Sequence, residues 1–121
     1  MRGYLTKRGS FMHTWKSRYV EISCYGDIEY FKNETKLEKK GDYALDAGTT
    51  VETMDVFEDQ PFVMKITNSE RDLYMSALDE ATRAKWVAAI KLAVVKKKSM
   101  NPHAQAQPAK EPLVKPSGSL F

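Results

Sequence analysis

Alternating apolar and polar positions recur before residue 78 and predict a succession of short β-strands. Side chains two positions apart in a strand share a face, so a period of two marks a strand with one buried side. Turn-forming residues separate the runs at Tyr25-Gly26-Asp27 and Asn68-Ser69-Glu70, and each break predicts a hairpin. The predicted strands are residues 3–7, 15–24, 28–32, 43–45, 50–54, 62–67 and 73–77.

The periodicity becomes helical after residue 78. Asp79 can cap a helix whose basic end at residues 96–98 suits the negative end of the helix dipole. Its apolar positions at helical spacing are Trp86, Val87, Ile90 and Val94. Strands followed by one helix predict an α+β fold, an antiparallel sandwich or small barrel in which the helix closes one end and Trp86 is the main apolar anchor.

Length and composition predict one folded domain. The 121 residues correspond to about one domain, and 42% hydrophobic with 29% charged residues is typical of a folded chain. Four of the five prolines fall after residue 99, among Ala, Gln, Ser and Gly. We therefore predict a domain over residues 1–98 and a disordered Pro-rich tail over residues 99–121.

Cysteine content and the N-terminus predict a cytoplasmic setting. The single cysteine, Cys24, cannot form an internal disulfide, and no apolar run resembles a signal peptide or a membrane span. In the predicted strand 15–24, Cys24 lies on the same face as Val20 and Ile22, so we predict that its side chain is buried.

No pattern in the predicted domain indicates catalysis. The two histidines, His13 and His103, have no cysteine or carboxylate at ligand spacing, and neither a nucleophile elbow nor a Gly-rich phosphate loop is present. We expect a protein that is not an enzyme and that uses neither a metal nor a cofactor.

Charge is distributed unevenly along the chain. A net charge of +3 argues against a dedicated nucleic-acid-binding domain. Residues 1–20 nevertheless contain no acid, so one end of the fold should be positive. The basic residues of this segment are Arg2, Lys7, Arg8, Lys16 and Arg18.

Several of these segments together resemble the pleckstrin-homology family. They are Gly3-Tyr4-Leu5, Trp15-Lys16-Ser17-Arg18-Tyr19-Val20, Glu29-Tyr30-Phe31-Lys32 and the helix that contains Trp86. The resemblance covers residues 1 to about 98. It implies a seven-stranded antiparallel bent barrel that is capped by one C-terminal α-helix, with a ligand pocket at the opposite, open end.

Strand parity predicts that polar side chains converge at this open end. If Leu5, Val20 and Ile28 line the interior, the polar residues that share their faces lie nearer the loop between the first two strands. Antiparallel pairing brings those strand ends to one rim. The converging residues are Lys7, Lys16, Arg18 and Tyr30.

This set suits a headgroup that carries several phosphates. Arginine offers paired donors, lysine a point charge and tyrosine a neutral donor. The spacing of Lys7, Lys16 and Arg18 also resembles that of family members that prefer 3-phosphorylated phosphoinositides. That resemblance implies that Lys7 and Arg18 are the chief phosphate contacts, supported by Lys16 and Tyr30. Further candidates are Arg8 and Lys40.

The expected function is a phosphoinositide-binding module that is recruited peripherally from the cytoplasm to membrane surfaces. Phe11 and Met12, adjacent apolar residues in the loop above the basic mouth, would enter the membrane interface. The preferred isomer stays open. The alternative is a protein-interaction module, in which an extended peptide binds at a sheet edge. A basic amphipathic helix over residues 83–98 could also bind calmodulin or a membrane, although Trp86 and Ile90 are needed to close the barrel.

Overall fold

A computed structural model of the chain describes residues 1–100. The helix runs to Met100, so residues 99 and 100, assigned above to the tail, are its last residues. The rest of the predicted disordered tail lies outside the described residues. The elements in chain order are β1 (Arg2–Arg8), β2 (Trp15–Ile22), β3 (Ile28–Phe31), β4 (Lys39–Tyr43), β5 (Thr50–Phe57), β6 (Gln60–Thr67), β7 (Asp72–Ser76) and α1 (Glu80–Met100).

The seven strands form one antiparallel sheet in the order β4-β3-β2-β1-β7-β6-β5. β1 pairs with β2 from Arg2 to Arg8, but with β7 only at Thr6 and Lys7. The sheet therefore has its narrowest junction between β1 and β7, and one helix follows it. The predicted class of fold, seven antiparallel strands followed by one helix, is confirmed.

The helix α1 closes the core as the sequence predicts. Asp79 Oδ1 accepts a hydrogen bond from the Thr82 backbone N–H at 2.7 Å, which is the expected N-cap. Trp86 is 1% exposed, and Ile90 and Val94 are also buried. These apolar side chains belong to the core and are not available to a second protein or a membrane. No helix within residues 1–100 is long and apolar enough to cross a bilayer.

The position of the fourth strand was predicted wrongly. It was expected at residues 43–45, but β4 is Lys39–Tyr43 and pairs with β3 across an irregularity between Tyr30 and Phe31. Most of its residues are polar because β4 is an edge strand, where charged side chains are common and a strict apolar alternation is not required.

Cys24 is exposed, so the prediction that it is buried was wrong. β2 ends at Ile22, and the next residues form a turn. The Ser23 N–H donates a hydrogen bond to the Asp27 carbonyl oxygen at 2.7 Å, which closes this turn. Gly26 adopts a φ of 85° within this turn, a conformation that favours glycine. Strand parity therefore does not extend to Cys24.

Candidate functional site

The polar residues predicted to converge lie together where β1 ends and β2 begins. Lys7 and Lys16 are direct partners across this strand pair, so their side chains share a face. The Lys7 ammonium lies 4.4 Å from the centroid of the Tyr30 ring. We call this site the mouth, which consists of Lys7, Lys16, Arg18, Tyr30 and the β1–β2 loop over residues 9–14.

The mouth contains a cavity whose lining includes three cations. A cavity of about 350 Å³ is lined by the loop together with Lys7, Lys16 and Arg18. Another of about 420 Å³ lies beside β1 and β7, near Leu5 and Ala77, and no charged residue lines it. The mouth therefore has the chemistry to hold an anion.

Lys7 is buried in this positive environment. Lys7 is only 7% exposed, and its ammonium donates a hydrogen bond to the Arg8 carbonyl oxygen at 3.1 Å. Burial, followed by the positive charges of Arg71 and Arg18, lowers the pKa of Lys7 to about 8. An anion bound here would relieve both the desolvation and the repulsion.

Arg71 is a residue of this region that the sequence analysis missed. It follows the β6–β7 turn, where Asn68 Oδ1 accepts the Arg71 backbone N–H at 2.9 Å. Its guanidinium donates from Nη1 to Ser10 Oγ at 2.9 Å and from Nη2 to the Asp42 carbonyl oxygen at 2.8 Å. Nη2 also lies 3.4 Å from the Tyr30 hydroxyl. Strand parity could not find Arg71 because it lies outside the strands, between the turn and β7, although a cation at the rim of a hairpin was a usable signal.

The cations around the mouth form no direct ion pairs with carboxylates in the described part of the chain. Within residues 1–100, no ion pair involves Lys7, Lys16, Arg18 or Arg71. Elsewhere, Lys36 Nζ lies 2.8 Å from Glu21 Oε1, and Lys97 Nζ lies 2.7 Å from Asp27 Oδ1. The charge of the mouth is therefore not neutralised by a direct ion pair, although the charge of Arg18 does act on the Glu38 carboxylate.

Close packing holds the Tyr30 ring in place. Tyr30 is buried and pairs with Gly41 of β4. A Cβ atom at position 41 would lie 2.7 Å from the Tyr30 hydroxyl oxygen, closer than such atoms can approach. Glycine at this position therefore allows the ring to lie beneath the Lys7 ammonium.

The structure does not bring Arg8 together with the mouth. β1 extends to Arg8, one residue beyond the predicted strand, and neighbouring residues of a strand point to opposite faces. Arg8 Nη1 lies 2.8 Å from Glu58 Oε2, and its guanidinium lies 4.2 Å from the centre of the Tyr74 ring. Arg8 thus binds a carboxylate on the other face of the sheet.

Lys40 also has a carboxylate partner. Its ammonium lies 2.6 Å from Glu38 Oε2. The hydrogen bond from Lys40, more than any other interaction, lowers the pKa of Glu38. Lys40 does not line the cavity of the mouth, whereas Lys16 does.

The β1–β2 loop exposes its two apolar residues. Phe11 is 91% exposed and Met12 is 71% exposed, and both line the cavity of the mouth. Backbone hydrogen bonds close the loop beneath them, from Gly9 N–H to the Thr14 carbonyl oxygen at 2.7 Å and from His13 N–H to the Gly9 carbonyl oxygen at 3.2 Å. The loop is therefore closed at its base while its apolar tip faces outward.

Comparison with known proteins identifies the family. The sequence pattern of the PH domain matches residues 1–95. The chain belongs to the PH domain family. This PH domain is 33% identical over 93 residues to the Mus musculus protein Differentially expressed in FDCP 6, a match that covers 77% of this chain and 15% of the relative. It is 34% identical over 93 residues to Rattus norvegicus pleckstrin, covering 76% of this chain and 26% of pleckstrin. The chain thus spans about a quarter or less of these two relatives.

Solved structures show the same fold. The solution structure of a pleckstrin homology domain superposes on this PH domain with a TM-score of 0.70 and 31% identity, over 82% of this chain and 88% of that one. The C-terminal PH domain of pleckstrin in complex with D-myo-Ins(1,2,3,4,5)P5 gives a TM-score of 0.64 at 23% identity, over 77% of this chain and 95% of that one. The second likeness shows the fold alone.

Proposed function

We propose that this PH domain binds phosphoinositide headgroups through the mouth and thereby recruits its protein peripherally to cytoplasmic membrane surfaces. The observation that carries the proposal is the buried Lys7, which lies among cations that form no direct ion pair within residues 1–100. Such an arrangement is unfavourable in the empty protein and becomes favourable when an anion enters.

The donor types of the mouth match phosphate groups. Arg18 offers a planar fork to two oxygens of one phosphate, while Lys7 and Lys16 offer point charges. The Tyr30 ring supports the Lys7 ammonium from below. The complex of the C-terminal pleckstrin PH domain with an inositol pentakisphosphate supports this ligand class, because it concerns the same fold.

The loop tip suits a membrane surface rather than a free headgroup alone. Phe11 and Met12 are both largely exposed beside the cationic cavity. A lipid headgroup held in the mouth would bring this tip to the interface, where apolar side chains are stabilised by partial burial. Membrane binding then combines charge in the mouth with apolar contact at the loop.

Vesicle sedimentation across a panel of phosphoinositides tests the proposal, with the variant Arg18→Ala. A charged hydrogen bond contributes about 1.5 to 3 kcal/mol, so loss of a paired set should weaken binding more than tenfold. Arg2→Ala is the matched control, because Arg2 is an exposed arginine that lies 3.6 Å from Glu21. It should change affinity less than twofold.

Two outcomes would contradict the proposal. If the wild-type domain binds to none of the phosphoinositide vesicles, the result would favour the alternative, a protein-interaction module. Equal affinities of the Arg18→Ala and wild-type proteins would place the lipid site away from the mouth. Thermal unfolding of each variant ensures that the comparison is made between folded proteins.

A further inference from the structure

Ser10 places a hydroxyl group at the entrance of the mouth. It lies in the β1–β2 loop, where residues 10–14 are all exposed. It lines the cavity of about 350 Å³ together with Lys7, Lys16 and Arg18, which are the charged residues of that lining. An exposed nucleophilic oxygen therefore lies beside a cavity whose charged side chains are all cations.

The Ser10 hydroxyl also has a cationic hydrogen-bond partner. Its Oγ accepts a hydrogen bond from Arg71 Nη1 at 2.9 Å. A phosphate on this oxygen would add three acceptor oxygens and a charge of about −1.5 to −2. Hydrogen bonds between charged groups are roughly twice as strong as neutral ones, so the surrounding cations would hold such a phosphate in the mouth.

The sequence around Ser10 has the pattern that one class of serine kinase selects. Basic residues, Lys7 and Arg8, lie three and two positions before it, and the apolar Phe11 follows it. Kinases that read charge patterns of this kind pair the basic side chains with their own carboxylates. In the folded domain Lys7 is buried, and Arg8 Nη1 lies 2.8 Å from Glu58 Oε2. A kinase must therefore release the end of β1 before it can read the pattern.

Few contacts hold this end of β1. Arg8 is the last residue of the strand and pairs with Trp15, whereas the pairing of β1 with β7 stops at Lys7. Two backbone hydrogen bonds close the loop beyond it, and the Glu58 carboxylate holds the Arg8 side chain. Opening of strand ends costs less free energy than global unfolding. Local opening can therefore present residues 7–11 while the core stays folded.

We propose that Ser10 is a phosphorylation site for a serine kinase that selects preceding basic residues, and that its phosphate closes the mouth to headgroups as an internal ligand. In the transfer, Ser10 Oγ bonds to the γ-phosphorus of ATP while the bond from that phosphorus to the bridging oxygen breaks. ADP leaves with the electron pair of that bond, and the hydroxyl proton passes to the base of the kinase. The regulatory consequence rests on the proposed function and adds a control to the same site.

Phosphoserine incorporated at position 10 of the full chain tests the consequence. Its affinity for phosphoinositide vesicles and for a soluble inositol bisphosphate should fall about tenfold or more, because the phosphate competes for charged hydrogen bonds. Phosphoserine at position 99 is the matched control. Ser99 is exposed in the last turn of α1, and Lys97 of that turn lies 2.7 Å from Asp27, beyond the end of β2 that is far from the mouth. The control should change affinity for the bisphosphate less than twofold.

Kinase treatment of the folded full chain tests the site itself. The probe is the catalytic subunit of cyclic-AMP-dependent protein kinase with Mg²⁺ and ATP, and mass spectrometry of proteolytic peptides locates the phosphate. We expect phosphate on Ser10 and none at this position in Ser10→Ala. Glu58→Gln should be phosphorylated faster, because it keeps an acceptor for Trp15 Nε1 but removes the charge that holds Arg8. Thermal unfolding ensures that each variant is folded.

Three results would refute the inference. They are a wild-type chain that the kinase does not phosphorylate at Ser10, an unchanged bisphosphate affinity with phosphoserine at position 10, and equal losses from positions 10 and 99. A ³¹P titration adds a readout that needs no lipid. Cations should lower the second pKa of the phosphoserine at position 10 below its ordinary value of about 6, and an ordinary value would place the phosphate outside the mouth.

Failure of the proposed function has a different signature. Wild-type protein that binds neither the vesicles nor the bisphosphate would refute the proposed function and, with it, the regulatory consequence. The phosphorylation site at Ser10 would then stand or fall on the kinase result and the ³¹P titration. Wild-type protein that binds both, with no effect of phosphoserine at position 10, would refute this inference and leave the proposed function standing.

Discussion

The position of Lys7 predicts that headgroup affinity falls as the pH rises above about 8. Burial, with the nearby charges of Arg71 and Arg18, lowers its pKa from 10.5 to about 8 in the free protein. A bound phosphate favours the charged ammonium and raises this pKa again. Binding above pH 8 must therefore take up a proton, so a higher pH opposes it.

The magnitude follows from the charged fraction of Lys7. With a pKa of about 8, the side chain is about nine-tenths charged at pH 7 and about one-tenth charged at pH 9. If the bound phosphate restores a pKa near 10.5, affinity should fall about tenfold between these two pH values. A phosphate monoester loses its second proton with a pKa of about 6, so the charge of the ligand changes little over this interval.

Calorimetric titration of an inositol bisphosphate at pH 7, 8 and 9 measures this effect. Buffers with different ionisation enthalpies report the proton uptake, which should approach one proton per complex at pH 9. Lys7→Arg is the control, because arginine stays charged throughout this range and should flatten the profile. The folding stability of the free domain should increase with pH, whereas its affinity for the headgroup decreases. The folded state disfavours the charged form, so stability rises between pH 8 and 10.5. Wild-type affinity that is equal at pH 7 and pH 9 would refute the reasoning.

Four other predictions concern the core, the packing of the mouth, the loop and salt. Trp86→Ala should lower the free energy of unfolding by about 3 to 5 kcal/mol in urea titrations, and a cooperative variant of wild-type stability would contradict its role in the core. Gly41→Ala should displace the Tyr30 ring and weaken headgroup binding severalfold, so an unchanged affinity would mean that the ring position does not matter. Replacing Phe11 and Met12 by Ser should weaken binding to phosphoinositide vesicles several-fold and leave affinity for the soluble headgroup nearly unchanged. Equal losses with both ligands would show that the loop shapes the mouth instead. Vesicle binding should also weaken steeply between low and physiological salt, and salt-independent sedimentation would speak against a charged site.

Periodicity was sufficient to predict most of the fold. The helical spacing around Trp86 and the cap at Asp79 were readable, because one apolar face and one acceptor decide where such a helix begins and what it buries. β4 was placed wrongly, because an edge strand of mainly polar residues has no strict alternation to read. Cys24 was assigned to the core, because parity cannot show that a strand stops two residues earlier.

Strand parity also explains which residues of the mouth could be predicted. Lys7, Arg18 and Tyr30 lie near one another because strand parity and antiparallel register fix their faces. Arg8 is the last residue of β1 and lies on the opposite face from Lys7. Strand parity also predicts this position when β1 is extended to residue 8. Arg71 lies just before β7 and contacts the mouth through hydrogen bonds to Ser10 and Tyr30, which are distant in sequence. Such contacts depend on how the sheet folds over itself, which no local pattern encodes.

The exposed Cys24 makes the orientation of the domain measurable without changing any residue of the mouth. It is the only cysteine among the 121 residues, and it follows β2 at the end of that strand away from Lys16. A strand of this length spans roughly 25 Å, so a fluorophore coupled to the thiol would stay in water while the loop tip touches lipid. Energy transfer from this fluorophore to acceptors at the bilayer surface would then report how the protein stands on a membrane.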